Sequence, residues 1–132
     1  MIKNINSIAC LVFTLLISSC KDGGCNVVLN SVNFKTTLSP DQASPVKVPN
    51  GWSYADGGNC GIIVYNTGEQ IVAYDRCSQM SNGKIIVEGF QAVDQESGSK
   101  WLLRDGTPTH LSECSLRRFQ VVSSGELIII TN

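Results

Sequence analysis

The sequence predicts an all-β domain, an antiparallel sandwich or barrel of about eight to ten short strands. Short runs of β-branched and aromatic residues recur between turns rich in Gly, Asn, Asp and Ser. Beyond the first twenty residues, no window shows three or four turns of helical periodicity. An immunoglobulin-like sandwich is the alternative class. That fold places a tryptophan between two paired cysteines, and Trp101 lies too close to Cys114 for this pattern.

Each strand is predicted from its own pattern and its flanking turns. The predicted strands are residues 27–38, 45–48, 52–54, 61–65, 70–75, 84–88, 90–93, 100–103, 116–122 and 126–131. The second and third lie in a loop-rich stretch that holds three of the four prolines. The run 61–65 is apolar throughout, which predicts a strand buried on both faces. A turn at Gly68 then predicts a hairpin with the strand that follows.

The start of the chain is typical of a secretory signal peptide. Lys3 precedes an apolar run at 8–17, and small residues follow it. The tetrad Ile17-Ser18-Ser19-Cys20 resembles the bacterial lipobox, which implies cleavage before Cys20 and a lipid on that cysteine. The alternative is an ordinary signal peptide followed by a disulfide cysteine. A membrane-spanning helix would need about 20 apolar residues, and this run has about half that number.

The lipobox resemblance implies three segments and a location. Residues 1–19 are the lipoprotein signal peptide, 20–25 are the lipidated cysteine with its tether, and 26–132 are one β domain. The protein is expected in the bacterial cell envelope, anchored by lipid to a membrane, the outer membrane being favoured. The domain would lie in the periplasm or at the cell surface. Its partners would be the membrane and other envelope proteins.

The charge distribution argues against binding to nucleic acid. Loss of Lys3 with the signal leaves 9 basic and 11 acidic side chains, a net charge of −2. Binding to nucleic acid requires clustered Lys and Arg. The only basic doublet is Arg117-Arg118, whose side chains point to opposite faces of a strand.

Four cysteines remain for the folded domain. Cys10 leaves with the signal and Cys20 carries the lipid; the disulfide candidates are Cys25, Cys60, Cys77 and Cys114. An even number in an oxidising compartment predicts two disulfides, with three connectivities open. A zinc site is disfavoured, because no Cys-x-x-Cys occurs and the chain has a single histidine.

From residue 57 onward the order of short motifs resembles the Rieske fold, in the degenerate form carried by small lipoproteins of Bacteroidetes-type bacteria. The motifs are Gly57-Gly58-Asn59-Cys60-Gly61, Ala73-Tyr74-Asp75-Arg76-Cys77, Gly98-Ser99-Lys100-Trp101 and Asp105-Gly106. In that family two loops hold an iron–sulfur cluster through Cys-x-His and Cys-x-x-His. The resemblance places those ligand positions at Cys77 and Gln79 and at Asp94 and Ser97.

This donor set predicts that the chain binds no cluster and no other metal or cofactor. Only Cys77 keeps a ligand type, and one histidine cannot supply two imidazoles. In the family the segment after the Asp-Gly turn folds over the cluster loops. The resemblance therefore implies a Cys77–Cys114 disulfide, which leaves Cys25 and Cys60 as the second pair.

No other catalytic motif is present in the sequence. A Gly-x-Ser-x-Gly elbow and a phosphate-binding loop are both absent. Asp94 and Glu96 are expected to lie in a solvated turn, and His110 in a surface loop. The aromatic residues that could line a ligand groove are more often core residues; they are Trp52, Tyr54 and Trp101.

The sequence therefore predicts a lipid-anchored, non-enzymatic structural or interaction module with a Rieske-like domain. The alternative is a redox protein that uses Cys77 as its remaining functional thiol. A module that binds a small molecule near the tryptophans is a third class without a residue signature.

Overall fold

The structure is a computed structural model that describes residue 25 and residues 27–132. The predicted signal peptide 1–19, the lipidation site Cys20 and the rest of the tether before Cys25 lie outside the described residues and stay predictions. The strands are β1 (Lys35–Thr37), β2 (Trp52–Ala55), β3 (Ile62–Asn66), β4 (Ile71–Asp75), β5 (Ile86–Glu88), β6 (Gln91–Val93), β7 (Lys100–Leu102), β8 (Pro108–His110), β9 (Arg118–Ser124) and β10 (Leu127–Thr131). One helix, α1 (Pro40–Ala43), leads into a 3₁₀ turn, Ser44–Lys47.

These strands form two antiparallel sheets. The larger sheet has six strands in the order β1-β10-β9-β4-β3-β2, and the smaller has four in the order β5-β6-β7-β8. Strands β4 and β9 are joined only through Ala73↔Phe119 and Tyr74↔Arg118, so the larger sheet is curled rather than flat. The structure confirms the predicted all-β class, and the ten strands fall within the predicted number.

Strands β3 and β4 lie at the centre of the fold and are buried on both faces, which the apolar run 61–65 predicted for β3. Alternate residues of β3 enter different cores, because side chains of a strand point to opposite faces. Ile62 and Val64 belong to a core inside the curled sheet, closed by α1 and the 3₁₀ turn. Ile63 and Tyr65 belong to a second core between the two sheets, which also contains Trp101.

Hydrogen bonds from two tyrosines join the sheets across the second core. The Tyr74 hydroxyl donates to the Leu103 carbonyl at 2.9 Å, and the Tyr54 hydroxyl accepts from the Val87 N–H at 3.0 Å. Burial raises the pKa of Tyr74 to about 12, so it stays a neutral donor. The small sheet is therefore fixed against the end of β4, where the loops of the candidate site begin.

Two predicted strands are wrong in part or entirely. Within 27–38 only Lys35–Thr37 is a strand, because only these residues pair with β10. Residues 45–48 form the 3₁₀ turn instead of a strand. The helix before it has a capping box, in which Ser39 Oγ accepts from the Gln42 N–H and Gln42 Oε1 accepts from the Ser39 N–H. The capping box favours helical structure here more strongly than the short run 45–48 favours a strand.

Among residues 25 and 27–132, no helix has both the length and the apolar character that a bilayer crossing requires.

Candidate functional site

Three chain segments meet where β4 ends, and together they are called the loop end here. The first loop (76–84) follows β4, the second loop (94–99) joins β6 to β7, and the third segment (111–117) precedes β9. A bridge between Cys77 and Lys84 closes the base of the first loop. The resemblance placed its four ligand positions in the first two loops, and the structure brings these loops together.

The carboxylate of Asp94 lies at the centre of the loop end and is fully buried. Its Oδ2 atom accepts hydrogen bonds from the hydroxyls of Ser78 at 2.5 Å, Ser81 at 2.6 Å and Ser97 at 2.7 Å. Ser78 and Ser81 belong to the first loop, whereas Ser97 belongs to the second. One side chain therefore joins both loops. A Cβ atom at Gly83 would lie 2.8 Å from Asp94 Oδ1, so the first loop needs a glycine there.

Asp94 is ionised at neutral pH despite its burial. Burial alone would raise the pKa of this carboxyl, but hydrogen bonds from three serines and from the Glu96 N–H hold the pKa below its usual value. The predicted solvated turn is thus wrong for Asp94 and right for Glu96, which is exposed. The error arose because sequence spacing could not reveal that serines of another loop would surround the carboxylate.

The other ligand positions are also engaged in protein contacts. Gln79 donates from Nε2 to the Ser115 carbonyl at 3.1 Å, which holds the third segment over the first loop. Ser97 donates its hydroxyl proton to Asp94, while its Oγ accepts from the Ser99 N–H at 3.2 Å and lies 3.0 Å from Ser99 Oγ. Cys77 is bonded to Cys60, with Cα atoms 5.1 Å apart.

The cysteine pairing inferred from the resemblance is therefore wrong. The disulfides are Cys60–Cys77 and Cys25–Cys114, the latter with a Cα separation of 6.1 Å. The hairpin explains the first bond, because β3 and β4 pair as far as Ile62↔Asp75 and Cys60 and Cys77 each lie two residues further along. The third segment does cover the first loop, but its cysteine meets the N-terminal segment, where the Val27 N–H donates to the Gln79 carbonyl.

A buried acid lies beside the hairpin disulfide. A carboxylate oxygen of Asp75 and the two sulfurs of Cys60 and Cys77 lie within 4.8 Å of one another. Burial raises the pKa of Asp75, opposed by a hydrogen bond from the Cys77 N–H and by the Arg117 guanidinium 3.8 Å away. The sulfurs are joined as a disulfide, so neither is a thiolate ligand for a metal ion.

A small hollow opens beside this disulfide. Its volume is about 160 Å³, and its lining includes both cysteines, the exposed chain at Val28 and the tip of the first loop at Asn82. Sequence reasoning missed this hollow, because its walls come from segments far apart in the chain.

The remaining candidate residues are not part of the two ligand loops. His110 is exposed as predicted, although it ends β8 and is not in a loop. Trp101 is a core residue whose indole N–H donates to the Cys114 carbonyl at 2.7 Å. Trp52 and Tyr54 are in edge-to-face contact with each other and pack against the second core. The Arg76 guanidinium stacks 3.7 Å from the Tyr54 ring centre.

The residues at the ligand positions do not fit a Rieske cluster. Such a cluster requires two thiolates and two neutral imidazoles. The four positions offer a disulfide sulfur, an amide, a hydrogen-bonded carboxylate and a hydroxyl, and the chain's one histidine lies elsewhere. The loop end is instead held together by Asp94 and by the two disulfides.

Comparisons with solved structures agree with this fold. One such structure is described as a complex of reduced oxygenase and oxidized ferredoxin in carbazole 1,9a-dioxygenase. One of its chains aligns with this chain at a TM-score of 0.51 and 19% identity, and the alignment covers 72% of this chain and 92% of that one. The ferredoxin of carbazole 1,9a-dioxygenase from Nocardioides aromaticivorans IC177 aligns with a TM-score of 0.47 and 21% identity, over 76% and 97%. A putative NADH-dependent nitrite reductase small subunit from Mycobacterium tuberculosis aligns with a TM-score of 0.45 and 15% identity, over 77% and 97%.

No protein-family profile matches the chain, and no curated protein matches its sequence. At these identities the structural likeness concerns the fold alone. The first alignment supports the Rieske-like architecture that the strand order and the loop end already indicate.

Asp94→Ala is expected to lower the free energy of unfolding by about 2–4 kcal/mol, because the buried hydroxyl of Ser78 and the part-buried hydroxyls of Ser81 and Ser97 lose a charged acceptor. Urea denaturation followed by tryptophan fluorescence measures the change. Glu96→Gln is the matched control, since Glu96 belongs to the same loop and is exposed. Equal stability of the Ala variant and the wild type would contradict the role assigned to Asp94.

The difference in unfolding free energy between wild type and Asp94→Ala should depend on pH. The folded-state pKa of Asp94 lies below its ordinary value, so its ionised form stabilises the fold above that value. This contribution is lost as the pH falls through the folded-state pKa. The difference in unfolding free energy between wild type and Asp94→Ala should therefore stay constant down to about pH 4 and shrink as the pH falls further. A difference that grows on acidification would contradict a lowered folded-state pKa for Asp94.

Proposed function

We propose that this chain is a lipid-anchored protein of the bacterial envelope whose Rieske-like domain holds no iron–sulfur cluster and acts as a non-catalytic structural or interaction module. The observation that carries the proposal is the occupation of the ligand positions. Asp94 and Ser97 bind each other, Gln79 binds the third segment, and Cys77 is in a disulfide. Each group has a structural partner in place of a metal ion.

The disulfides support the proposed location. Both join parts of the domain that are distant in sequence, with separations of 89 and 17 residues. Such bonds persist in oxidising compartments and are rare in the cytosol. The lipobox resemblance adds a lipid on Cys20, and hence a membrane as one partner. Other envelope proteins are the second proposed class of partner, with no cofactor required.

The absence of a cluster is tested on the purified protein. We expect no iron, no acid-labile sulfide and no visible absorption after anaerobic purification of the full chain, because two imidazole ligands are lacking. A Rieske ferredoxin purified in parallel is the positive control. Iron and sulfide in stoichiometric amounts would refute the proposed function.

The anchor is tested by metabolic labelling. Labelled palmitate should enter the wild type but not Cys20→Ala, because the lipid is expected on that sulfur. Cys10→Ala is the matched control, since Cys10 lies within the predicted signal peptide and should leave the labelling intact. Incorporation into the Cys20 variant would remove the lipobox interpretation.

A second candidate function is thiol–disulfide exchange at Cys60–Cys77, which replaces the sequence-based idea of a free Cys77. The observation that favours it is the buried Asp75 beside a disulfide that opens on a hollow. A thiolate of an external dithiol would attack one sulfur, and the other would leave as a thiolate and take a proton, with Asp75 as the nearby acid. The second thiol would then release the first sulfur, so that the dithiol is oxidised and both cysteines are reduced.

The Cys25–Cys114 bond is an internal comparator for this candidate. Limiting dithiothreitol followed by maleimide trapping and peptide mapping should show Cys60–Cys77 opening about tenfold faster. Asp75→Asn should slow that bond alone, because Asn still accepts from the Cys77 N–H but carries no exchangeable acid proton. Equal rates for the two bonds would eliminate the candidate.

A further inference from the structure

The geometry points to the loop end as the surface that faces the membrane, in contact with phospholipid headgroups through Val28 and Leu111. This inference rests on the proposed lipidation of Cys20. It adds an orientation: one end of the domain is held at the bilayer while the opposite end is directed away from it.

The Cys25–Cys114 disulfide determines where the tether joins the domain. The bond fixes Cys25 to the third segment, with the two Cα atoms 6.1 Å apart. Five residue steps separate Cys20 from Cys25, and an extended chain spans at most about 18 Å over that number of residues. A lipid on Cys20 therefore holds the loop end within about 18 Å of the bilayer surface. Two residues further on, the Val27 N–H donates to the Gln79 carbonyl and holds the chain at the same end.

Exposed apolar side chains stand at this end of the domain. Val28, three residues after Cys25, is 86% exposed at the edge of the hollow. Leu111, three residues before Cys114, is 57% exposed and lies over Gly98 of the second loop. Burial of such side chains in the headgroup region is favourable, because it removes apolar surface from water.

The backbone of Leu111 supports the same interpretation. Its φ angle is 62°, in the left-handed region that leucine rarely adopts, and the strain has no compensating burial of the side chain. A contact outside the domain would provide that burial. Glu96 and Glu113 are also exposed at this end, and hydrated carboxylates do not enter the hydrocarbon layer. The contact is therefore expected at headgroup depth.

The opposite end provides a matched control. Strand β9 leaves the loop end at Arg118 and runs seven residues to Ser124, which is about 20 Å along a strand. Leu127 pairs with Ser124 there and is 54% exposed, close to the exposure of Leu111. The two leucines differ mainly in which end of the domain they occupy.

The experiment uses the full, lipidated chain in vesicles of phosphatidylethanolamine that contain phosphatidylcholine with a nitroxide on its headgroup. Leu111→Trp and Leu127→Trp are compared after subtraction of the wild-type signal from the two native tryptophans. The nitroxide should quench the fluorescence of the introduced tryptophan at least twofold in Leu111→Trp, with little effect in Leu127→Trp. Val28→Trp is a second variant at the loop end and should behave as Leu111→Trp does.

Each outcome decides one of the two proposals. Palmitate incorporation is measured on the same samples, and failure of labelling refutes the anchor and the orientation that rests on it. If labelling succeeds, equal quenching at both ends, or stronger quenching at Leu127→Trp, overturns the orientation and leaves the anchor intact. Should Leu111→Trp fail to fold by circular dichroism, the comparison of Val28→Trp with Leu127→Trp decides the question alone.

Discussion

The buried carboxylate of Asp94 is the interaction on which the loop end depends. An ionised acid without exposure to water is costly unless hydrogen bonds compensate it, and here three serine hydroxyls and a backbone N–H do so. Because these donors come from two loops, the requirement to satisfy the charge also fixes one loop against the other. A charge-assisted network of this kind is shorter and stronger than neutral hydrogen bonds.

The disulfides extend this order outward from the β3–β4 hairpin. Cys60–Cys77 continues the register of two central strands, so it holds the base of the first loop to the turn before β3. Cys25–Cys114 then attaches the N-terminal segment to the third segment, which Gln79 and Trp101 also bind through backbone carbonyls. The proposed membrane orientation follows from this second bond, because it fixes the domain end of the short tether to the third segment.

The sequence was sufficient for the parts of the fold that depend on local patterns. A continuous apolar run predicted the doubly buried strand β3, and the turn at Gly68 predicted its hairpin with β4. The cysteine pairing failed because the family resemblance, and not the strand register, supplied it. The turn spans Thr67 to Gln70, so Asn66 pairs with Ile71, and the same register extended past Ile62↔Asp75 places Cys60 opposite Cys77. The capping box at Ser39 was a second readable signal.

No sequence pattern could predict the environment of Asp94, and the reason is physical. Its partners in the first loop are 16 and 13 residues away, and nothing in their spacing distinguishes serines that face a carboxylate from serines that face water. Only the packing of β6 and β7 against β4 brings them together. The same packing separates two acids that look alike in sequence: hydrogen bonds hold the pKa of Asp94 down, whereas burial dominates at Asp75 and raises its pKa. Asp94 therefore holds the two loops together, whereas Asp75 is the buried acid that lies beside the Cys60–Cys77 disulfide.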